Sequence, residues 1–413
     1  MRKMKDSGVK WMGEIPETWQ VTKYKYFSQS RMGETILAAD LVSEGIPVYS
    51  ATNDNSIFGY VTNSKVVLHN GDLIIPARGN SIGYMKFVQD EIATCTQTTI
   101  CSFNIHGINP KYLYYCSCGF KDDWYKYDGS AIPQVTVEQL KNNLLPLPSK
   151  EDQLLIADYL DKKCLQIDEI IMHQKEIINK LKEYLISITT EAVTKGLKSD
   201  VRTKQSNIKW IESYPVHWNE YRIANLYDQT SESGLEELPI LTVSINNGIS
   251  DRELADDEKD RVFVRSEDRT KYKRVRPGDL AYNMMRAWQG AFGAVRVDGM
   301  VSPAYVTCRP KPGVQIDSRY IEYLFRTPIA IEEMHRYSHG IADFRLRLYW
   351  PEFKNIRLCL PPIEEQREIA DHIDDKTAKI EATIKRREDT IAKLQEYKKS
   401  LIYEVVTGKR EVL

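Results

Sequence analysis

LPLPSKEDQLLIADYLDKK, residues 145–163, returns as LCLPPIEEQREIADHIDDK at residues 358–376, and the return decides the fold. Pro148, Glu151, Gln153, Ile156, Ala157 and Asp158 meet Pro361, Glu364, Gln366, Ile369, Ala370 and Asp371 at one offset, 213. Self-similarity at about half the chain length means a duplicated unit rather than a short-period solenoid. Each copy also carries a helix start, Pro-Ser ahead of Glu151 and Asp152 and Pro-Pro ahead of Glu364 and Glu365. Proline is tolerated where the first helical N–H has no partner, and carboxylates there complement the positive end of the helix dipole.

Behind each start, positions spaced alternately by four and three line up: Leu160, Cys164, Ile167, Ile171, Gln174, Ile178, Leu181, Leu185 and Ile188 in one copy. Their counterparts are Ile373, Thr377, Ile380, Ile384, Arg387, Ile391, Leu394, Lys398 and Leu401. A heptad seam of about four repeats predicts a coiled coil. Leu160, Ile167, Ile171, Ile178, Leu181 and Leu185 are expected to pair with Ile380, Ile384, Ile391, Leu394 and Leu401. Two copies of one unit predict an antiparallel pair about a pseudo-two-fold axis. Gln174 and Arg387 interrupt the seam at equivalent places, as register-setting polar residues do.

Two further blocks repeat. VKWMGEIPETWQVTKYKYF, from Val9, matches IKWIESYPVHWNEYRIANLY, from Ile208, with Trp11 and Trp19 meeting Trp210 and Trp218 at an offset of 199. HNGDLIIPARGNSIGYMKFV, from His69, matches RPGDLAYNMMRAWQGAFGAV, from Arg276, at an offset of 207. The rising offset puts insertions in the second globular part and leaves the helices one length. Short β-type runs such as KVVLH, DLIIPA, VFVRS and AVRVDG, punctuated by Gly, Asn and Asp, predict α+β domains with a curved or barrel-like sheet. The expected organisation is a globular domain over 1–148, a long helix over 149–198, a second domain over 199–361 and a second long helix over 362–413.

Composition bounds the class. With 413 residues, 42% hydrophobic and 28% charged, the chain is a multidomain globular protein and not a disordered or collagen-like one. No apolar run is long enough to span a bilayer and the N-terminus has no signal-peptide pattern, so a cytoplasmic location and no membrane partner are expected. Seven scattered cysteines predict reduced thiols, with no cysteine-based zinc site. The net charge of −1 does not announce a polyanion partner, so any basic face must be local; residues 261–276 form one basic run after an acidic one.

A helix of about 40 residues is roughly 60 Å long, and globular readers held about 40 to 50 Å apart by such helices would span about 12 to 15 base pairs if the target is duplex DNA. The copies differ most in their globular parts, which predicts an asymmetric, bipartite target rather than a palindrome. At this point the chain resembles the specificity subunit of type I restriction-modification enzymes over essentially its whole length. The opening with its paired tryptophans, the GDL block, the proline-led EDQ or EEQ helix start and the helix ends at Thr194 and Thr407 carry the resemblance, twice and in order. One departure is that Gly13-Glu14 in the first opening is Glu212-Ser213 in the second. The resemblance implies two target-recognition domains on conserved helices, a double-stranded DNA target, two modification subunits and, for restriction, two motor-nuclease subunits. It implies that this chain is non-catalytic and binds no cofactor, with S-adenosylmethionine, ATP and Mg on the partner subunits.

Sequence is read in the major groove by Arg, Asn and Gln, while Lys, Ser and backbone donors hold phosphates. The loop after the first GDL strand offers Arg78, Asn80, Ser81 and Tyr84, and the turn before the first long helix offers Ser130 and Gln134. The second copy offers Asn283, Arg286, Trp288 and Gln289, then Phe344, Arg345 and Arg347. The alternative is that the arginines pair with local carboxylates and the aromatics fill cores. No phosphate loop, dinucleotide fingerprint or Asp/Asn-Pro-Pro-aromatic motif is present. His335 and His339 stand four apart without the Glu of a metalloprotease helix, so surface histidines are the expectation. Two other readings stay open at this point: a self-contained DNA enzyme, and a coiled-coil assembly protein with no nucleic-acid role.

Overall fold

The computed structural model describes the chain apart from residues 1, 104, 127–133, 246, 256–268, 341–345 and 413. It divides into two compact units, residues 1–175 with 387–413, and residues 176–386. The long helices run from Lys150 to Lys195 and from Ile363 to Val406. At 46 residues the first is about 70 Å long. Each stops at a glycine in the left-handed region, Gly196 at φ 79° and Gly408 at φ 71°, the conformation that closes a helix C-terminus at no steric cost.

In the first unit the main sheet orders Gln29–Met32, Thr99–Phe103, Leu73–Pro76 and Lys86–Phe87, all antiparallel. A second sheet orders Ile57–Val61, Ile46–Tyr49 and Thr94–Cys95, the last pair parallel. The DLIIPA run shows no polar alternation because both faces of its strand are covered. Leu73 and Ile75 face one apolar core and Ile74 the other. The second unit repeats the device, with Leu280 and Tyr282 in one core and Ala281 in the other. Its main sheet orders Tyr227–Thr230, Tyr305–Pro310, Leu280–Asn283 and Phe292–Ala294.

Not every β-type run becomes a strand. KVVLH supplies only the bridge from Leu68 to Ala93, AVRVDG straddles the end of one strand and the start of the next, and VFVRS lies outside the described residues. The cysteine expectation is corrected at one pair, Cys95 and Cys101, which are joined as a disulfide. The turn between Thr94–Cys95 and Thr99–Phe103 brings the buried sulfurs of Cys95 and Cys101 together with Cα atoms 7.2 Å apart. That is wider than the span of about 4.4–6.8 Å that most disulfides use. The other five are free thiols.

The GDL block is a turn device. Gly71 and Gly278 hold φ of 95° and 93°, and the next aspartate folds back: Asp72 Oδ2 accepts from the His69 N–H at 2.8 Å and Asp279 Oδ2 from the Arg276 N–H at 2.9 Å.

In each unit the start of one long helix packs against the end of the other, which is antiparallel pairing. In the first unit Leu160, Cys164, Ile167 and Ile171 join one core with Leu401, Ile402 and Val405, with Ile391 and Leu394 packed against it. The two polar interruptions meet there, Arg387 donating to Gln174 Oε1 at 2.7 Å, and Lys398 pairs with Asp168 at 2.7 Å. In the second unit Ala192 and Val193 share a core with Ile369 and Ile373. Ile178 and Ile380 are buried, while Leu181, Leu185 and Ile384 are only half-buried. The seam is therefore more fully buried at Leu160, Ile167, Ile171 and Leu401 than at Leu181, Leu185 and Ile384.

The glutamine of each helix start is a buried clamp. Gln153 accepts from the Asn109 N–H at 2.7 Å and donates to the Pro148 carbonyl at 3.0 Å. Gln366 accepts from the Asp317 N–H at 2.9 Å and donates to the Pro361 carbonyl at 2.9 Å. Asn109 and Asp317 are the N-caps of the short helices Pro110–Trp124 and Ser318–Phe325. Tyrosines from these helices reach the long-helix ends: the Tyr112 hydroxyl donates to the Pro146 carbonyl at 2.9 Å with the Val406 carbonyl 3.4 Å away, and Tyr320 donates to the Val193 carbonyl at 2.8 Å. Removing the clamp in Gln153→Ala or Gln366→Ala leaves buried groups unpaired, a loss of about 1–3 kcal/mol each. Chemical unfolding of each variant checks this, and midpoints unchanged from the parent chain contradict the clamp.

Candidate nucleic-acid interface

Both units build the same platform after the GDL strand. In the first, the Ala77 carbonyl accepts from the Val135 N–H at 2.9 Å, and Arg78 faces Gln134 across an isolated antiparallel bridge. In the second, the Met284 carbonyl accepts from the Leu348 N–H at 2.8 Å. The offsets, 207 from Ala77 to Met284 and 213 from Val135 to Leu348, are those of the flanking sequence blocks. Two segments remote in sequence, the loop after the strand and the return toward the long helix, are thus locked side by side in each copy.

In the first platform the turn Gly79–Ser81 carries Arg78 and Asn80 exposed. Gly83 is held under the Tyr125 ring, where a Cβ would come within 2.3 Å of Cδ2. Ser81 Oγ donates to the Ala51 carbonyl at 3.0 Å. Tyr84 is exposed and the Lys121 ammonium stands 3.6 Å from its ring centroid, within cation–π range. Gln134 is exposed, and Ser130 lies outside the described residues.

The second platform uses its residues less uniformly. Asn283 is buried, and its Oδ1 accepts from the Met285 N–H at 3.0 Å, so this side chain shapes the turn. Trp288 is also partly engaged, its indole N–H donating to the Met285 carbonyl at 3.0 Å and its ring standing edge-on to His335 at 5.5 Å. Arg286 is half-exposed, while Gln289 and Arg347 are exposed. The Arg347 guanidinium lies 3.5 Å from the Tyr349 hydroxyl. Phe344 and Arg345 lie outside the described residues.

Charge pairing separates structural cations from available ones. Within the basic run, residues 261–268 lie outside the described residues, and the described arginines are engaged internally. Arg274 grips Asp298 with bonds of 3.1 and 2.6 Å, Arg276 pairs with Glu232 at 2.8 Å, and Arg269 donates to the Glu236 and Leu238 carbonyls. Arg309 binds the buried Asp279 carboxylate through two nitrogens at 2.7 Å, and this contact holds the guanidinium pKa above its usual value despite the opposing effect of burial. Arg78, Arg286 and Arg347 enter no ion pair among the described residues. Local basicity in the sequence does not separate paired arginines from unpaired ones, because a charge run does not reveal which carboxylates the fold brings opposite it.

Lys121, Tyr349 and His335 join these platforms without having been singled out for them from sequence. They sit on helices or flanking segments with no motif around them. Both His335 and His339 are exposed, and no group of three His, Cys, Asp or Glu side chains converges among the described residues.

The pairing predicts opposite stability responses. Arg78→Ala and Arg286→Ala should stay within about 0.5 kcal/mol of the parent, as surface changes do. Arg309→Ala should cost on the order of 3 kcal/mol by stranding the Asp279 carboxylate. Unfolding midpoints measured side by side decide this, and similar losses for all three refute the division.

Comparison with known proteins places this architecture. Residues 16–192 match the family model described as type I restriction modification DNA specificity domain. The chain is 24% identical over 428 residues to the type I restriction enzyme MjaVIII specificity subunit of Methanocaldococcus jannaschii, covering 96% of this chain and 94% of that protein. Among solved structures, a chain from work on complex assembly and conformational transition of the type I R-M system shares 15% identity and a TM-score of 0.66, over 95% of this chain and 98% of that one. The HsdS subunit of Thermoanaerobacter tengcongensis shares 16% identity and a TM-score of 0.50, over 96% and 98%. The second half of the chain repeats the matched segment block by block, down to its buried glutamine and GDL turn. Over nearly its whole length the chain is thus similar to the specificity subunits of type I restriction-modification systems.

Proposed function

We propose that this chain is the non-catalytic DNA reader of such a system, with residues 1–148 and 199–361 each reading one half of an asymmetric bipartite site. The observation that carries the reading is the duplicated platform on which Arg78 with Gln134, and Arg286 with Gln289 and Arg347, stand exposed or half-exposed with no carboxylate partner among the described residues. Guanidinium and carboxamide groups are the side chains that read base edges bidentately. The two platforms carry different side chains on one backbone plan, as an asymmetric target requires.

The segments 149–198 and 362–413 act in this reading as the spacer and as the dock for two modification subunits, with two motor-nuclease subunits joining for restriction. Support comes from the surface of the first long helix. Leu165, Met172 and Ile186, separated by multiples of seven residues, are 60, 50 and 50% exposed. The second long helix shows one large exposed apolar side chain, Tyr397. An apolar stripe on one helix of a pair is the mark of a partner surface. S-adenosylmethionine, ATP and Mg belong, on this reading, to those partners.

Single-molecule mapping of N6-methyladenine in cells expressing the chain with its cognate modification subunit tests the proposal. A bipartite motif that disappears when the chain is deleted is the expected result, and an unchanged methylation pattern refutes it. Removing one heptad from each long helix shortens it by about 10 Å, so the unread gap should contract by about three base pairs. A gap of unchanged length removes the spacer role.

A further inference from the structure

Beside each platform stands a second polar loop that neither motif nor charge marks in the sequence. In the first unit it is the hairpin connection Thr52–Ser56, between strands Ile46–Tyr49 and Ile57–Val61. Its Ala51 carbonyl takes the Ser81 hydroxyl of the platform turn. From below, the buried Lys86 ammonium donates to Thr52 Oγ1 at 2.5 Å and lies 5.9 Å from the Tyr49 ring centroid. Burial pushes the Lys86 pKa down while Asp54 opposes the shift. A lysine spent beneath an exposed loop holds that loop in place. Asn53 and Asn55 project from it, both exposed.

The second unit has the counterpart. Ile240 bridges Met300 in parallel, as Val48 pairs with Thr94 in the first. The connection that follows, between Val243–Ser244 and Gly248–Ile249, carries the exposed Asn247. Its Ile245 carbonyl lies 3.8 Å from where a Cβ on Gly290 would stand, at the end of the platform turn Ala287–Gln289, and accepts from Arg326 at 3.2 Å. In both units, then, an asparagine-bearing hairpin loop abuts the arginine-bearing turn.

We propose that these hairpin loops are a second base-reading element in each half, with the carboxamides of Asn53 and Asn55 in one and of Asn247 in the other contacting major-groove edges of A·T pairs. Asn presents a donor and an acceptor in the spacing of adenine N7 and N6, and Lys86 is the positioning residue of the first loop. The inference rests on the DNA-reading function proposed above.

The test maps methylated motifs in cells carrying the full chain with its cognate modification subunit. The paired change Asn53→Ala with Asn55→Ala should relax preference at one or two positions of a single half-site by about 5- to 150-fold, leaving the other half-site as before. Asn247→Ala should do the same to the other half. The isosteric changes Asn53→Asp and Asn55→Asp keep the fold if the alanine forms do not, and should move preference away from adenine toward cytosine, whose amino group suits an acceptor. Motifs unchanged in every variant overturn the proposal. So does a uniform fall in methylation with preference intact, which would make the loops phosphate holders. Failure of the underlying reading is separate, since then the unaltered chain itself directs no bipartite motif.

Discussion

Two buried carboxamides, those of Gln153 and Gln366, set the direction in which each long helix leaves its globular part. Each uses its oxygen on the N-cap N–H of a neighbouring short helix and its nitrogen on the carbonyl of the proline segment leading into the long one. A carboxamide is suited to the place because it donates and accepts at once without charge, and desolvating a carboxylate there would cost far more. Tyr112 and Tyr320 extend the join by reaching the last carbonyls of the other long helix. Within each unit the start of one long helix and the end of the other are thus held together, and in the first unit the Arg387 to Gln174 contact adds a polar check on register.

That anchoring allows divergence elsewhere. The platforms share a backbone plan and the aspartate of its turn: a GDL turn, a strand buried on both faces and a return segment bonded to its end. None of those bonds depends on the side chains that face outward, so the outward set can change without cost to the core. Arg78 and Asn80 therefore stand in one copy where the other presents Arg286 and Gln289. Internal ion pairs engage arginines such as Arg309, with Asp279 and Glu232, whereas Arg78, Arg286 and Arg347 enter no ion pair among the described residues.

The duplicated fold was legible in the sequence because repeats and heptads are local patterns: the offsets of 199, 207 and 213 aligned the copies, and the seam residues are buried or half-buried as spaced. The site was less legible. Arg78 and Gln134 were singled out separately, but 56 positions apart nothing in sequence says that they share a bridge. Asn283 has the right chemistry for base reading yet is folded inward, since a turn can use the same amide oxygen that a base would.

What the sequence determined by itself is the duplication, the two long helices with their starts and stops, and the resemblance they carry, all consequences of residue order over short distances. What only the tertiary structure decided is which polar groups remain to meet a partner. That depends on which carboxylates, carbonyls and loops the fold carries opposite each side chain: the basic run lost its described arginines to them, and the hairpins of Asn53, Asn55 and Asn247 came to stand beside the arginine-bearing turns. Availability of a side chain is a property of its surroundings in space, and residue order does not carry it.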